Sequence, residues 1–495
     1  GPRRVARRGA RAGARGGRVI ARRRPPALLA LLLAAGCASV GPDYDAPGTD
    51  LPGGWRDRPS SGLKEGPADL AGWWRRFEDP VLDHLVERAV RDGLELREAV
   101  ARVQAARALR GIAAADRWPT IDAAASFDKR EESENTALGN LVEDADLYRA
   151  GFDAAWEIDL FGRVRRSVEA ADASLQATVE EARDVRVTLA AETALRYVEY
   201  RAFQRRIAIA RDTVALQRET VALAQARFDA GLSGERDLAQ ARTGLETTRA
   251  RVPTLEIGLR AAENRLSVLV GAAPGAFAEA LGPARPIPVP PREVAVGLPA
   301  DLLRRRADVR RAERELAAET ARIGVAEADL YPRITLLGQI GFAAEDTGDL
   351  AEPDSRFSVI GPSLRWNLFD GGRIRNRVSA QEARAEEALI RWQRTVLRAL
   401  EEAENAMTVF VREQERMGML LAAAADGRRA VELARAQYGE GLADFQVVLD
   451  AERVFSGLVD DAARSEADVA AGLIALYKAL GGGWETDAEL ASVPR

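Results

Sequence analysis

The chain contains one histidine, His84, one cysteine, Cys37, and three methionines. A zinc site of the usual histidine and cysteine type draws three or four ligands from such residues, so none can be assembled here. HExxH needs two histidines and is excluded outright. No phosphate-cradling glycine loop and no GxSxG elbow is present. His84 falls in "PVLDHLVERAV", a helical pattern, and reads as a surface or interface residue. A lone cysteine also forbids an intrachain disulfide. The sequence therefore predicts no catalytic residue, no metal site, no cofactor and no enzyme.

Two local clusters remain. Arg304–Arg306 is a basic run, yet Asp301, Asp308 and Glu313 lie close by and the run opens an amphipathic helix pattern. The formal net charge is −5, so the bulk positive field of a nucleic-acid binder is missing. Nucleic acid is not an expected partner. Cys37 is the more informative residue. It ends the run "PPALLALLLAAGC", whose apolar stretch Ala27–Ala35 is too short to span a bilayer and follows the basic flank Arg22–Arg24. That pattern fits a secretory signal, and Ala35-Gly36-Cys37 resembles a bacterial lipobox. There the signal is removed before the cysteine, which is acylated and becomes the first residue. Residues 1–36 are thus expected to be the signal peptide, and Cys37 the lipidated start of an extended, Pro- and Gly-rich arm over 37–72.

The elements that would carry such an anchored chain appear twice. "ARFDAGLSGERDLAQARTGL" returns as "AQYGEGLADFQVVLDAERVF". One interval, 210 residues, separates Trp156 from Trp366, Arg163 from Arg373, Gly231 from Gly441 and Gly271 from Gly481. Two copies at so long a period mean a duplicated subdomain rather than a solenoid. The copies are set at 73–272 and 298–482. The Pro-rich linker 273–297 lies between them and a tail over 483–495 follows.

Within a copy, Arg163–Phe228 contains no Pro and no Gly, and Tyr200, Ile207, Val214, Val221 and Phe228 fall seven apart. Val396, Ala403, Phe410, Met417, Ala424, Val431 and Tyr438 repeat that spacing. Sevens mark a coiled-coil seam. Such a helix is a rod of roughly 100 Å at ~1.5 Å per residue. Each rod turns at a Gly-Leu pair, Gly231-Leu232 or Gly441-Leu442, and returns through Glu235–Val270 or Ala443–Leu480. Each return is about half a rod. Leu82–Ala115 and Asp301–Leu330 supply the other half, stacked end to end. Pro253 is expected to kink its helix.

Between short and long helices lie strand patterns. Tyr148, Ala150, Phe152, Ala154, Trp156 and Ile158 share one face, with Arg149, Asp153 and Glu157 opposite. Ile334, Leu336, Ile340 and Phe342 likewise oppose Arg333, Thr335 and Gln339. "TIDAAASFD" and "SVIGPSLRWNL" alternate more weakly. About ten residues per strand, apolar outside and polar inside, is the signature of a membrane barrel. Four strands cannot close one, and lipid tolerates no open edge, so several chains would have to share it.

These pieces resemble the outer-membrane factors of tripartite efflux pumps, in particular the lipoprotein, NodT-type branch of the TolC family. The resemblance rests on "GCASVGPDYDAP", "GWWRRFEDPVLDHLVERA", "WEIDLFGR", "LPADLLRRRADVRRAERELAAETARIGVAEADLYPRITL", "LFDGGR" and "LYKALGGGW". It implies a mainly α fold with β. In it a homotrimer shares a twelve-stranded outer-membrane β-barrel, four strands per chain, continued by a long periplasmic α-helical barrel. Ala307 stands where the family usually has Pro, which loosens one helix start.

The family's function is a passive exit channel for drugs or other small solutes, linked by a periplasmic adaptor to an inner-membrane RND-type transporter. Gly231, Leu232, Gly441 and Leu442 match the tips that meet the adaptor. Asp450 and Arg453 match the acidic and basic residues of the periplasmic gate, and Tyr438 its aromatic partner. Gln446 stands where relatives often carry an apolar plug. Gln240 and Thr243 hold the corresponding places in the first copy. A channel for type I-like protein secretion and a soluble coiled-coil scaffold are the alternative readings.

Overall fold

The computed structural model describes residues 39–48, 51–56, 62–64, 66, 68, 70–131, 133, 135 and 145–484. Cys37, the expected signal segment and residues 485–495 lie outside them. Copy one consists of α1 (Pro80–Asp92), α2 (Leu94–Ala115), β2 (Thr120–Arg130), β3 (Ala145–Ile158), α3 (Arg163–Asp229) and α4 (Glu235–Leu269). It is preceded by the two-residue strand β1 (Leu63–Lys64). Copy two follows β4 (Val294–Ala295). It consists of α5 (Pro299–Arg305), α6 (Ala307–Ala328), β5 (Arg333–Ala344), β6 (Arg356–Arg365), α7 (Arg373–Gly439) and α8 (Phe445–Ala479). Both rods, α3 and α7, are 67 residues long, and both returns, α4 and α8, are 35.

Small residues explain how rods this long pack. The buried stripe of α3 is rich in alanine, including Ala182, Ala190, Ala191 and Ala194, which lets neighbouring helices approach closely. The seam spaced by sevens is buried at Tyr200, Ile207 and Val214 and loosens by Phe228. In α7 it is buried at Val396, Ala403, Phe410, Val431 and Tyr438. α3 lies along α2, α4 and α6, and α7 lies along α6 and α8. α4 continues through Pro253. Beyond it, Gly258 gives the Phe203 ring room that a side chain would fill, since a Cβ there would stand 2.4 Å from the ring.

The expected end-to-end stacking is present, and glycines make the joints. Gly271, at φ 74°, brings the end of α4 against the break between α1 and α2, where an added Cβ would stand 2.8 Å from the Asp92 carbonyl. Its mate Gly481, at φ 78°, brings the end of α8 against the start of α6. Positive φ at both is the conformation glycine accepts without strain. At the second joint the Arg306 guanidinium donates to the Ala479 carbonyl at 3.1 Å and to the Asp308 carboxylate at 2.7 Å. Asp308 in turn accepts from the Val309 N–H at 2.9 Å. Arg306 and Asp308 therefore hold the helix start that Ala307 was expected to loosen. The last arginine of the basic run is buried in this structural role.

Around the joints lies the main hydrophobic core. Trp73 is wholly buried and stacks on Tyr477 at 5.3 Å, with Trp74, Phe77 and Leu82 beside it. An aromatic of this size buries about 150–250 Å², worth several kcal/mol at about 25 cal/mol per Å². Arg201, fully buried, donates to the carbonyls of Leu281 and Pro283 and to the Tyr197 hydroxyl, pinning the linker to α3. β1 pairs with β4 in parallel, so the N-terminal arm also fastens to the linker.

The remaining strands form one antiparallel sheet in the order β2-β3-β5-β6. Its register places Phe152 opposite Ile340, Trp156 opposite Leu336 and Ile158 opposite Ile334, while Asp153 faces Gln339 and Glu157 faces Thr335. The apolar and polar faces expected from alternation therefore continue across the strands. At the helix end of the sheet the Trp156 indole donates to the Arg117 carbonyl and the Trp366 indole to the Leu330 carbonyl, each at 3.0 Å. This is the place where a membrane barrel carries its aromatic girdle. Among the described residues no helix is long and apolar enough to cross a membrane.

Candidate functional site

Each rod ends at a glycine in the left-handed region, Gly231 at φ 71° and Gly441 at φ 76°. The following N–H reaches back five residues, Leu232 to the Arg227 carbonyl and Leu442 to the Gln437 carbonyl, each at 2.8 Å. The glycine admits the backbone and the hydrogen bond closes the helix end. This leaves the leucine side chains outward, Leu232 65% and Leu442 79% exposed.

The two turns are tied to each other. Arg227, near the end of α3, donates to the Gly439 carbonyl at 2.9 Å and lies over the Tyr438 ring at 4.8 Å. Tyr438 is 3% exposed and packs on Phe445 at 5.1 Å, within a cluster completed by Ala224, Leu238, Ala241, Ala434 and Val448. Tyr438 thus sits in the joint between the tips, held between Arg227 and Phe445. Arg227 carries no sequence signal that sets it apart from the other arginines of its rod.

Asp450 and Arg453 do meet. The Arg453 guanidinium donates to the Asp450 carboxylate at 3.2 Å, and the Gln446 amide donates to the same oxygen at 3.2 Å. Both partners of the ion pair are largely exposed, so the pair contributes only about a few tenths of a kcal/mol to folding. Gln446 is bound into the cluster as a polar partner of the carboxylate. A cavity of about 400 Å³ brings Gln446, Asp450 and Arg453 of α8 together with Gln240 and Thr243 of α4. The corresponding positions of the two copies therefore face one space, charged in copy two at Asp450 and Arg453 and uncharged in copy one at Gln240 and Thr243, with Arg251 of copy one farther along the same wall.

Behind that space is a residue the spacing could have indicated. Phe445 and Val448 open the buried stripe of α8, and Glu452 falls on the same stripe, four residues after Val448. Glu452 is 3% exposed, and the Thr220 hydroxyl of α3 donates to its carboxylate. Burial pushes its pKa up, with the Thr220 hydrogen bond and the charge of Arg435 pulling the other way. Arg435 itself pairs with Glu219 at 3.1 Å. A carboxyl whose folded pKa is raised adds stability below the ordinary glutamate range and loses it as pH rises through the folded value. The melting temperature should therefore fall as pH rises above about 4.5. Glu452→Gln, which keeps an acceptor for Thr220, should flatten that dependence. Calorimetry of both proteins across pH checks this; equal slopes would remove Glu452 from the account.

Farther up, Arg206 of α3 grips Asp460 of α8 through two hydrogen bonds of 2.7 and 3.1 Å. The copies are joined along the rods as well as at the tips.

Comparison with known proteins fits this architecture. The family model for outer membrane efflux proteins matches residues 85–272 and 298–482. The chain belongs to the outer membrane efflux protein family. The outer-membrane channel OprN is similar in structure, with a TM-score of 0.85 and 38% identity over 90% of this chain and 99% of that one. Outer membrane protein OprJ of Pseudomonas aeruginosa is 32% identical over 92% of this chain and 95% of its own length. Nodulation protein T of Rhizobium leguminosarum bv. trifolii is 30% identical over 92% of this chain and 96% of its own length. This outer membrane efflux protein has the TolC-like fold of the channels it resembles and is an outer-membrane efflux channel component. The family is one of channels rather than enzymes. In this efflux protein, then, the described residues of interest are those that close, couple or line a path.

Proposed function

We propose that three copies of this chain form one exit duct, with twelve strands closing a barrel in the outer membrane and the rods continuing it through the periplasm. The sheet carries this reading. Among the described residues its edge strands β2 and β6 pair on one side only, and its outer face is apolar. An edge of that kind is not tolerated in lipid, and a neighbouring copy offers the complementary edge. Drugs or other small solutes are the proposed cargo, delivered by an inner-membrane RND-type transporter through a periplasmic adaptor. The adaptor docks on the tips at Gly231-Leu232 and Gly441-Leu442. Asp450 and Arg453, repeated about the threefold axis, narrow the periplasmic end, with Tyr438 fixing the helix turn that carries them.

Lipidation at Cys37, by acyl chains such as palmitate, is part of the proposal. Val40, three residues on, donates to the Phe161 carbonyl at 3.0 Å, at the corner between β3 and α3. Arg166 fixes that stretch through the Val40 and Gly41 carbonyls and the Asp43 carboxylate. The chain just after Cys37 is thereby held at the membrane end of the rods, within reach of the inner leaflet. Native mass spectrometry of protein extracted from outer membranes tests both points. Three copies with acyl mass on an N-terminal Cys37 are expected. A monomer with intact strands would overturn the shared barrel, and an unmodified Cys37 would overturn the anchor.

A further inference from the structure

The seam between α3 and α8 joins the two copies inside one chain, and ties of opposite character cross it. The upper tie, Arg206 to Asp460, is a charge pair at 2.7 Å. Burial pushes the Asp460 carboxyl up, but its bonds to Arg206 and Arg464 outweigh this and hold it below the ordinary range. The lower tie lies about two turns nearer the tip. There the partner of the Glu452 carboxyl is a hydroxyl, that of Thr220. The charge acting on Glu452 is that of Arg435 of α7, which is itself paired with Glu219 of α3. Arg251 of α4 and Asp450 and Arg453 of α8 share the cavity wall with it. Glu452 is 3% exposed within a single chain. A neighbouring copy adds cover from outside and leaves this carboxyl in its seat.

The repeat shows what is unusual here. At the interval of 210 residues Glu452 corresponds to Arg242 and Thr220 to Ala430. Arg242 is exposed and donates to Gln225 of α3 at 2.9 Å, and Ala430 is exposed as well. The buried acid and its hydroxyl therefore belong to the α3–α8 seam alone. That seam carries Asp450 and Arg453, one turn or less from Glu452 on the same helix. An acid placed on an apolar stripe, where an apolar residue would pack, points to a role beyond packing.

We propose that Glu452 is a positioning residue of the gate: with its proton on, it seats α8 against Thr220 of α3, and ionised, it frees the stretch of α8 that carries Asp450 and Arg453. The proposal rests on the reading of that pair as the periplasmic constriction. A neutral, hydrogen-bonded carboxyl sits in a buried seam at modest cost, whereas an ionised one there is expensive. When the proton leaves for bulk water, the carboxylate is drawn toward water in the cavity it lines. The lower stretch of α8 then moves off Thr220, while the Arg206–Asp460 pair, charged throughout, keeps its grip above. Phe445 and Val448 are left to hold the seam by apolar contact. Asp450 and Arg453 lose their fixed place, and the constriction relaxes.

Single-channel conductance in planar bilayers at fixed salt, recorded across pH, tests the latch. From about pH 4.5 to about pH 8 the parent conductance should rise about twofold or more. Glu452→Gln, uncharged at every pH, should stay at the acid value throughout. Thr220→Val removes the hydrogen bond that favours the ionised form, so it should move the rise to higher pH. A merely structural contact would leave that midpoint in place. A conducting parent with no rise, a rise that Glu452→Gln keeps, or a midpoint that Thr220→Val leaves unmoved would overturn the latch and leave the gate standing. Asp450→Ala with Arg453→Ala, recorded alongside, reads the gate itself: conductance equal to the parent's at every pH would overturn the gate and the latch with it.

Discussion

Asp450→Ala combined with Arg453→Ala should raise single-channel conductance severalfold in planar bilayers. The argument turns on a contrast between folding and conduction. The ion pair is exposed and lies within one helix, so its loss removes only about a few tenths of a kcal/mol from the fold. The buried contacts of α8, at Phe445, Val448 and Glu452, are untouched. Three copies about an axis would instead bring three carboxylates together, where like charges oppose one another and the neighbouring arginine offsets them. If they form the constriction as proposed, truncating both side chains would widen the opening and remove its charge while the rods stay packed. Conductance and cation preference equal to those of the parent channel would show that these residues do not form the constriction.

Replacing Leu232 and Leu442 by Glu should abolish crosslinking to the adaptor while trimers survive. Neither leucine packs in the fold; both project from turns whose shape is set by Gly231 and Gly441. Covering an exposed leucine contributes about 1.5–3 kcal/mol, and each chain offers two. A glutamate at the same place would have to be stripped of water on docking. The loss should therefore exceed tenfold in affinity for each turn, since about 1.4 kcal/mol corresponds to a factor of ten. Crosslinking that persists in the double variant would place the adaptor elsewhere.

Much of this architecture was legible in the sequence. The sevens from Tyr200 to Phe228 and from Val396 to Tyr438 marked the rods, and alternation around Trp156 and Leu336 marked the two faces of the sheet. Both are local periodicities, and a single chain displays them in full. The Gly-Leu turns were visible because a glycine must stand where the backbone takes positive φ. What the sequence did not display is pairing across long intervals. Arg227 reaches Gly439, Arg201 reaches Leu281 and Arg306 reaches Ala479. In a chain with arginines throughout, nothing marks these three in advance. Tyr438 illustrates the same boundary. Its place in the seam was readable, but its partner on the other rod was not. Glu452 could have been noticed as a charge on an apolar stripe, though Thr220 could not.

The equal lengths of the paired helices carry an evolutionary consequence. Removing one residue from a single rod would draw its tip back by about 1.5 Å and rotate it by about 100°. Arg227 would then miss the Gly439 carbonyl, and the two leucines would no longer present a level surface. Insertions and deletions within one rod are therefore tolerable only when the other rod changes by the same amount. The duplication acts as a shared gauge. Its two halves are free to diverge in side chains, as Arg365 and Ala155 have done, but their rods are bound to keep the same count of 67 residues.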